Sequence, residues 1–538
     1  MAETIAAVPS ICPPQKSGTI PLWLCIVVGM FAGVLLVIAS SRYGLSHHSD
    51  SARYTSVARS VTQGAGFTLY DGRAEVWSTP LYPLLLAPSF LLKVNVLAYA
   101  RWLHAALFIL TVAGAVVWLA SLRPIWGAWL VGAGLVVTSA PLFDQAITML
   151  TDLTFISFIV IWLIVFDRAL ESGRLRWIVT AGIVAALAWL TRNPGITTVA
   201  VGAILLTLPR SSPLLLRFRD AAVYGVVGST LSIVWLLRNQ LVTGAAVPPL
   251  ATPSMSPDEY AVAIVQIVGG WFLPLWVPGV ARAVLGLVVL GATVATLAVA
   301  LIKTTRQYSG GQVDLWRRLR TASAFALMYS AFVLTSISLV WVTDWPERYM
   351  APTVVPVVGV IVFSLSYVAC LVRRRGVWHE RAFLVAAAVS LLAWPARLTV
   401  GRIEFALRHG AGGYATDRWQ RSTTARFVRS LRPTELVLSN EPNALYFLSK
   451  TSAGRWMPGH GLPGTPPSKL AALESLRDSL TSDQEHLVVL FSPTVPELAG
   501  YDYTRDEIQS VFQTRLIALL DDGAVLGIRV HSTLPAGK

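Results

Sequence analysis

Through about the first 400 residues of this 538-residue chain, apolar stretches of roughly 18–22 positions alternate with short polar, arginine-bearing segments; beyond that point the pattern changes. A helix of that length crosses a hydrocarbon core of about 30 Å. The pattern predicts about eleven transmembrane helices, near 21–40, 101–120, 125–143, 151–167, 177–192, 195–209, 220–237, 280–302, 321–341, 350–372 and 382–398. The sixth is short and bounded by Pro194 and Pro209. The run 80–92, PLYPLLLAPSFLL, is too short and too rich in proline to span; it suits a helix or turn at the interface. The run 21–40 is longer than a signal-peptide core, so an uncleaved first helix is expected.

After about residue 399 the runs shorten and charge returns. TELVLS (434–439) and EHLVVLFS (485–492) read as buried strands, with helical patterns at 442–450, 467–481 and 505–514. LIALL (516–520) and AVLGIRV (524–530), split by Asp521-Asp522-Gly523, read as a hairpin. The expected fold class is therefore a membrane all-α bundle over residues 1–398, whose first outer loop is 41–100, followed by a soluble three-layer α/β domain over 399–538.

Charge orients the bundle. With the N-terminus in the cytoplasm, the inside loops carry Arg123; Arg168, Arg174 and Arg176; Arg210, Arg217 and Arg219; Lys303, Arg306, Arg317, Arg318 and Arg320; and Arg373, Arg374, Arg375 and Arg381. The short outside loops hold little more than Arg192, Arg238 and Arg348. By the positive-inside rule this predicts an inner- or plasma-membrane multi-pass protein whose C-terminal domain is extracytoplasmic. Counting 80–92 as a crossing would put the arginine clusters outside. A second outer loop is expected at about 238–279.

Composition agrees: 54% of residues are hydrophobic, 13% are charged, and the mean hydropathy is +0.60. The net charge of +14 does not indicate a nucleic-acid partner, because the basic residues are scattered in short clusters between apolar runs. Cys12, Cys25 and Cys370 lie outside the large outer loops and imply no disulfide framework.

The first outer loop holds the candidate chemistry. In SHHSDSARYTSVARSVTQGAGF, Ser49 and Asp50 can cap a helix and Gly64 can stop it. Asp50, Tyr54, Val57, Ala58 and Val61 then share one face, giving an amphipathic helix suited to the membrane surface. The plainer role for Asp50 is that of a cap. His47 and His48 could contribute to a divalent-metal site, but adjacent residues rarely aim at one ion, and the expectation is that no metal or other cofactor is required.

The order of segments resembles the GT-C glycosyltransferases, in the branch with protein O-mannosyltransferases, the aminoarabinose transferase of lipid A and RgtA-like transferases of lipopolysaccharide core. Asp50-Ser51-Ala52-Arg53-Tyr54 resembles their D-x-x-R-Y-type segment, and Gly64, Gly66 and Pro80-Leu81-Tyr82-Pro83 follow as in that family. Further matches are Thr151-Asp152, LAWLTRNPG (187–195), Leu237-Arg238-Asn239, Glu347-Arg348-Tyr349-Met350-Ala351-Pro352 and the tail segment SNEPNALYF (439–447). Two positions depart from the pattern: the acid pair of the O-mannosyltransferases is Asp50-Ser51 here, and Ser78-Thr79 stands where the aminoarabinose transferase has a lysine.

The resemblance implies transfer of a sugar from a polyprenyl-phosphate carrier to a lipid, glycan or protein acceptor at the outer membrane face, with Asp50 as the catalytic acid. Such chemistry needs a base for the acceptor hydroxyl and cations for the departing phosphate. Asp50 is the candidate base; Arg53, Arg192, Arg238 and Arg348 are candidate phosphate ligands; Tyr54, Tyr82 and Asp152 are supporting candidates. Interfacial snorkelling, or pairing with acids such as Asp344 or Glu347, is the plainer role for the arginines. Asp144 and Asp152 could bind a cation or orient Arg53. Trp77, Trp271, Phe272, Trp276 and Trp345 fit an interfacial aromatic belt. A transporter or flippase of lipid-linked sugars is the alternative, but repeat halves and mid-membrane charges, which it would call for, are not evident in the sequence.

Overall fold

The computed structural model describes residues 20–209, 212–247, 255–305, 311–339, 346–431, 436–449, 454–458, 468–480, 485–492 and 503–530. Two compact units emerge: Met1–Arg42, Val76–Tyr82 and Leu97–Arg408 form one, and Tyr43–Glu75, Pro83–Val96 and His409–Lys538 the other.

The first unit is helical. Among the described residues, nine helices are long and apolar enough to cross a membrane, which makes the chain a multi-pass membrane protein. The fifth and sixth expected spans are helices Leu175–Thr191 and Ile196–Thr207, shorter than the other nine. The third is divided: Trp126–Val137 ends at Thr138, Ser139 caps a new helix by accepting from the Leu142 amide, and Ala140–Ile147 follows with Pro141 in its first turn. Asp144 therefore lies on a helix, 3.4 Å from Arg402, and not in a solvated loop. The last span, expected at 382–398, is the helix Val377–His409.

The second outer loop is not simply a loop. Helix Leu214–Thr243 runs into it, and Pro257–Gly270 forms a further helix that the sequence reading missed. Its start is a capping box, Glu259 accepting from both the Ser256 amide at 2.8 Å and its hydroxyl at 2.9 Å, with Pro257 in the first turn. The helix packs against Gly279–Thr305 so closely that a Cβ on Gly269 would lie 1.8 Å from the Arg282 carbonyl oxygen, and one on Gly286 1.9 Å from that of Val265. Only glycine at these two positions allows this approach.

The second unit carries a mixed five-stranded sheet. The strands are β1 (Val437–Ser439), β2 (Gly454–Trp456), β3 (His486–Phe491), β4 (Gln513–Leu520) and β5 (Gly523–Arg529), in the order β2-β1-β3-β5-β4. β1 runs parallel to β2 and β3, and β5 antiparallel to β3 and β4. Both faces of the central strands are covered. Leu438, Val488, Leu490 and Leu526 pack on one side with Leu473, Ile508 and Phe512. Val437, Val489, Phe491 and Val525 pack on the other with Val428, Trp419 and Leu445. This explains why β1 and β3 read as continuous apolar runs rather than alternating ones. The strand β2 and the helix Thr423–Leu431 were not foreseen. The helix expected over 505–514 covers only Arg505–Gln509, and β4 begins at Gln513. Pro442–Ala444 is one short helical turn, continued as a wider π-type turn over Leu445–Ser449.

Segments of the first outer loop belong to this same unit. His47 forms a parallel bridge with Gly413, the Tyr414 amide donates to its carbonyl at 2.9 Å, and the Tyr70 hydroxyl meets the Asn443 side-chain oxygen at 2.9 Å.

Candidate active site

In the membrane unit, one acid and two arginines converge. Asp152 is the first residue of helix Asp152–Ser172, where unpaired amides favour a carboxylate, and it is fully buried. Arg192 terminates helix Leu175–Thr191 and is ion-paired to Asp152 Oδ1. Arg348, on the short helix Pro346–Met350, reaches Asp152 Oδ2 through Nε at 3.0 Å and Nη2 at 2.9 Å. The Tyr349 ring lies 5.1 Å from the Arg192 guanidinium and 5.9 Å from that of Arg348. Thr79 donates to the Thr191 carbonyl at 2.5 Å, which ties the segment before Pro80 to the corner that carries Arg192. Two guanidiniums gathered on one carboxylate present the paired forks that suit phosphate oxygens.

Other candidates in this unit have different surroundings. Arg238 stacks 4.9 Å from the Trp235 ring and donates to the Asn239 side-chain oxygen at 3.0 Å. Tyr82 is fully buried, with its hydroxyl 2.7 Å from His104 Nε2, while His104 Nδ1 lies 2.9 Å from the Ala146 carbonyl. That makes Tyr82 part of a packed relay between helices. Trp271 and Phe272 are buried against each other, whereas Trp276 is exposed. Asp344 and Trp345 lie outside the described residues.

In the second unit, helix Ser49–Thr62 carries Asp50 in its first turn. The N-cap is His48 rather than Ser49 or Asp50: its amide donates to the Ser51 hydroxyl at 3.0 Å. Burial is wider than the single apolar face expected, taking in Ser51, Ala52 and every residue from Tyr54 to Ala58. Arg53 grips Glu75 with two hydrogen bonds, at 3.2 Å through Nε and 2.8 Å through Nη2. Its burial works against the charge, but Glu75, with Asp50 adding to it, outweighs that and raises the guanidinium pKa further. The acid that orients Arg53 is thus Glu75, itself 1% exposed, and Asp152 serves Arg192 and Arg348 instead. Glu75 was missed in the sequence because the acids of DGRAEVW (71–77) match no motif spacing.

His47 and His48 do not act as a pair. His47 is buried, with Nδ1 2.9 Å from the Leu45 carbonyl and its ring edge-on to Phe447 at 4.6 Å. Burial pushes its pKa down to about 4. His48 Nε2 instead lies 2.9 Å from the Ser46 hydroxyl. Among the described residues, no group of three or more His, Cys, Asp or Glu is arranged to hold a metal ion.

No family model and no curated protein matches the sequence. The fold does have solved counterparts. The chain is 14% identical to ArnT from Cupriavidus metallidurans, a crystal structure bound to undecaprenyl phosphate, with a TM-score of 0.57 over 95% of this chain and 98% of that one. It is 12% identical to the Archaeoglobus fulgidus oligosaccharyltransferase, in complex with Zn and sulfate, with a TM-score of 0.53 over 86% of this chain and 68% of that one. It is 13% identical to the arabinofuranosyltransferase AftD from Mycobacteria, with a TM-score of 0.55 over 96% of this chain but only 40% of AftD. All three are GT-C glycosyltransferases, and the chain has the GT-C fold.

Proposed function

We propose that the protein is a glycosyltransferase that moves a sugar from a polyprenyl-phosphate carrier to an acceptor hydroxyl at the extracytoplasmic membrane face. The observation that carries the reading is the convergence of Arg192 and Arg348 on Asp152, in a fold shared with a protein solved with undecaprenyl phosphate. Arg348 and Arg192 would hold the carrier phosphate as the glycosidic bond breaks, with Asp152 keeping the two guanidiniums spread and oriented. Asp50, in the first turn of its helix, would accept the proton of the acceptor hydroxyl. Glu75 would hold Arg53 against that helix, so Arg53 serves the base more directly than the phosphate. Arg238 is the weaker phosphate candidate, since its guanidinium already stacks on Trp235. The acceptor is a lipid, glycan or protein, and no metal is required by this chemistry. The C-terminal α/β unit, with the first-loop segments it incorporates, would present the acceptor.

The test is transfer from a radiolabelled polyprenyl-phosphate sugar in reconstituted membranes, paired with mass spectrometry of envelope glycans with and without the gene. An unchanged glycan and lipid profile in the deletion, together with no transfer from any polyprenyl-phosphate sugar, would overturn the reading.

A further inference from the structure

At the other end of helix Asp152–Ser172 the membrane unit has a cavity of about 370 Å³, within the range that holds a small ligand or a lipid headgroup. Asp167 lines it, 15 residues from Asp152 on the same helix and hence about 22 Å away along the axis. The cavity is thus separate from the cluster described above, and nothing in the proposed transfer uses it. Its walls come from helix ends: Trp118 and Ser121 close Val96–Ser121, Asp167, Arg168 and Glu171 close Asp152–Ser172, and Arg318 lies near the start of Gly311–Leu339. Side chains just before these ends, including Val117 and Ile164, are apolar. The site therefore lies at headgroup depth, polar at its mouth and apolar toward the bilayer centre.

The polar groups are unequally matched. Arg318 is bonded to Glu171 and to the Ser121 carbonyl oxygen, so these charges balance within the wall. Asp167 is 4% exposed; one carboxylate oxygen accepts from the Trp118 indole at 3.0 Å, and the other, Oδ1, has no hydrogen-bond partner among the described residues. Two helix C-termini, each with the negative end of its dipole, face the same space. A buried acid with an open acceptor at such a place is complementary to a cation that can also donate hydrogen bonds. Arg168, 61% exposed and only 3.4 Å from Glu171, stands at the mouth with a guanidinium free to take on an additional anion.

We propose that this cavity binds the headgroup of an aminophospholipid, its primary ammonium on Asp167 and its phosphate at Arg168, with the acyl chains running along Val117 and Ile164. A quaternary ammonium lacks the N–H that Asp167 Oδ1 calls for, and an anionic headgroup without an amine meets a carboxylate. The lipid would belong to the leaflet opposite the Asp152 cluster and would brace the ends of three helices, independently of the transfer reaction.

The experiment is native mass spectrometry of the full-length protein released from nanodiscs containing equal parts of phosphatidylethanolamine, phosphatidylcholine and phosphatidylglycerol with identical chains. Retention of phosphatidylethanolamine over each of the others by about tenfold is expected, as one charge-assisted hydrogen bond gives. Asp167→Asn should remove that preference, and Arg168→Gln, an exposed change that leaves Asp167 in place, should lower retention of all three lipids several-fold, since each carries the phosphate. Equal retention of the three lipids by the wild-type chain, which needs no variant, would overturn the proposal. So would unchanged retention of phosphatidylethanolamine by a well-inserted Arg168→Gln protein, or displacement of the lipid by glycerophosphoethanolamine at the same concentration as the intact lipid.

Discussion

Each compact unit holds a cluster of arginine and acid built from the same side chains in opposite proportion. Around Asp152 one fully buried carboxylate serves two arginines; around Arg53 one arginine faces Glu75 directly and feels Asp50 a helical turn away. The first cluster is richer in arginine and the second in acid. In both, the minority group is held from two sides, which fixes its partners. The majority groups then differ in duty. Glu75 is bound to Arg53 by two hydrogen bonds, whereas Asp50 is less buried and sits at a helix start. Under the proposed chemistry, one cluster serves a departing anion and the other an arriving proton.

The strongest way to break this comparison is Asp50→Asn. Asparagine packs much as aspartate does in a first helical turn but is no base, so transfer should fall by about two to four orders of magnitude at equal membrane abundance. Near-wild-type transfer would show that Asp50 only serves the helix, and Asp152 would become the next acid to test.

Removing the shared acid should act on the fold first. Asp152→Ala leaves two guanidiniums together without their counterion, at a cost of about 3–5 kcal/mol. The expected readout is a markedly lower midpoint of thermal aggregation in detergent. Arg348→Leu in the same chain should restore part of the loss, since one unmatched cation is then removed. A double variant no more stable than Asp152→Ala would mean that the two arginines are not coupled through this acid.

A smaller change sharpens the phosphate side. Arg348→Lys preserves the charge but not the planar fork that reaches Asp152 and an anion together. About a tenfold rise in the donor concentration needed for half-maximal transfer is expected, with protein level unchanged. Transfer unchanged at limiting donor would take Arg348 out of the site.

Much of this frame was legible from the amino-acid sequence because membrane spans are long and apolar throughout. Asp152, Arg192 and Arg348 were each visible in separate motifs. That they meet was not, since Asp152 and Arg348 are 196 positions apart and nothing local links them. Helix Pro257–Gly270 was written plainly in Ser256-Pro257-Asp258-Glu259, but its apolar part is too short to announce a span. The strand β2 has only three residues, below the length at which a period of two can be seen. The first outer loop was read by its own pattern, as an amphipathic surface helix. Its burial reflects tertiary partners such as Gly413, Asn443 and Phe447, all distant in sequence.

The smallest effect tests whether an acid held by neutral donors behaves differently from the acids of the two arginine clusters. Asp522, in the β4–β5 hairpin, accepts from the Thr423 and Thr424 hydroxyls at 2.7 Å each and from the Thr424 amide at 2.9 Å. Its partial burial pulls the carboxyl pKa upward, but hydrogen bonds from Ser422, Thr423 and Thr424 outweigh this and hold it at about 2. A carboxylate whose folded pKa is depressed contributes stability above its unfolded value, and that contribution fades as the pH falls toward 2. Because the group is largely solvent-screened, its worth is about 1 kcal/mol rather than the full value of the shift. Asp522→Asn should therefore speed hydrogen exchange in β4 and β5 about fivefold at pH 7, with the difference shrinking between pH 4 and pH 2. Transfer should stay within the range set by protein abundance, because this charge is spent on neutral donors and none is left over for chemistry. A loss of transfer comparable with that of Asp50→Asn would mean that leftover charge is not what separates working acids from structural ones in this protein.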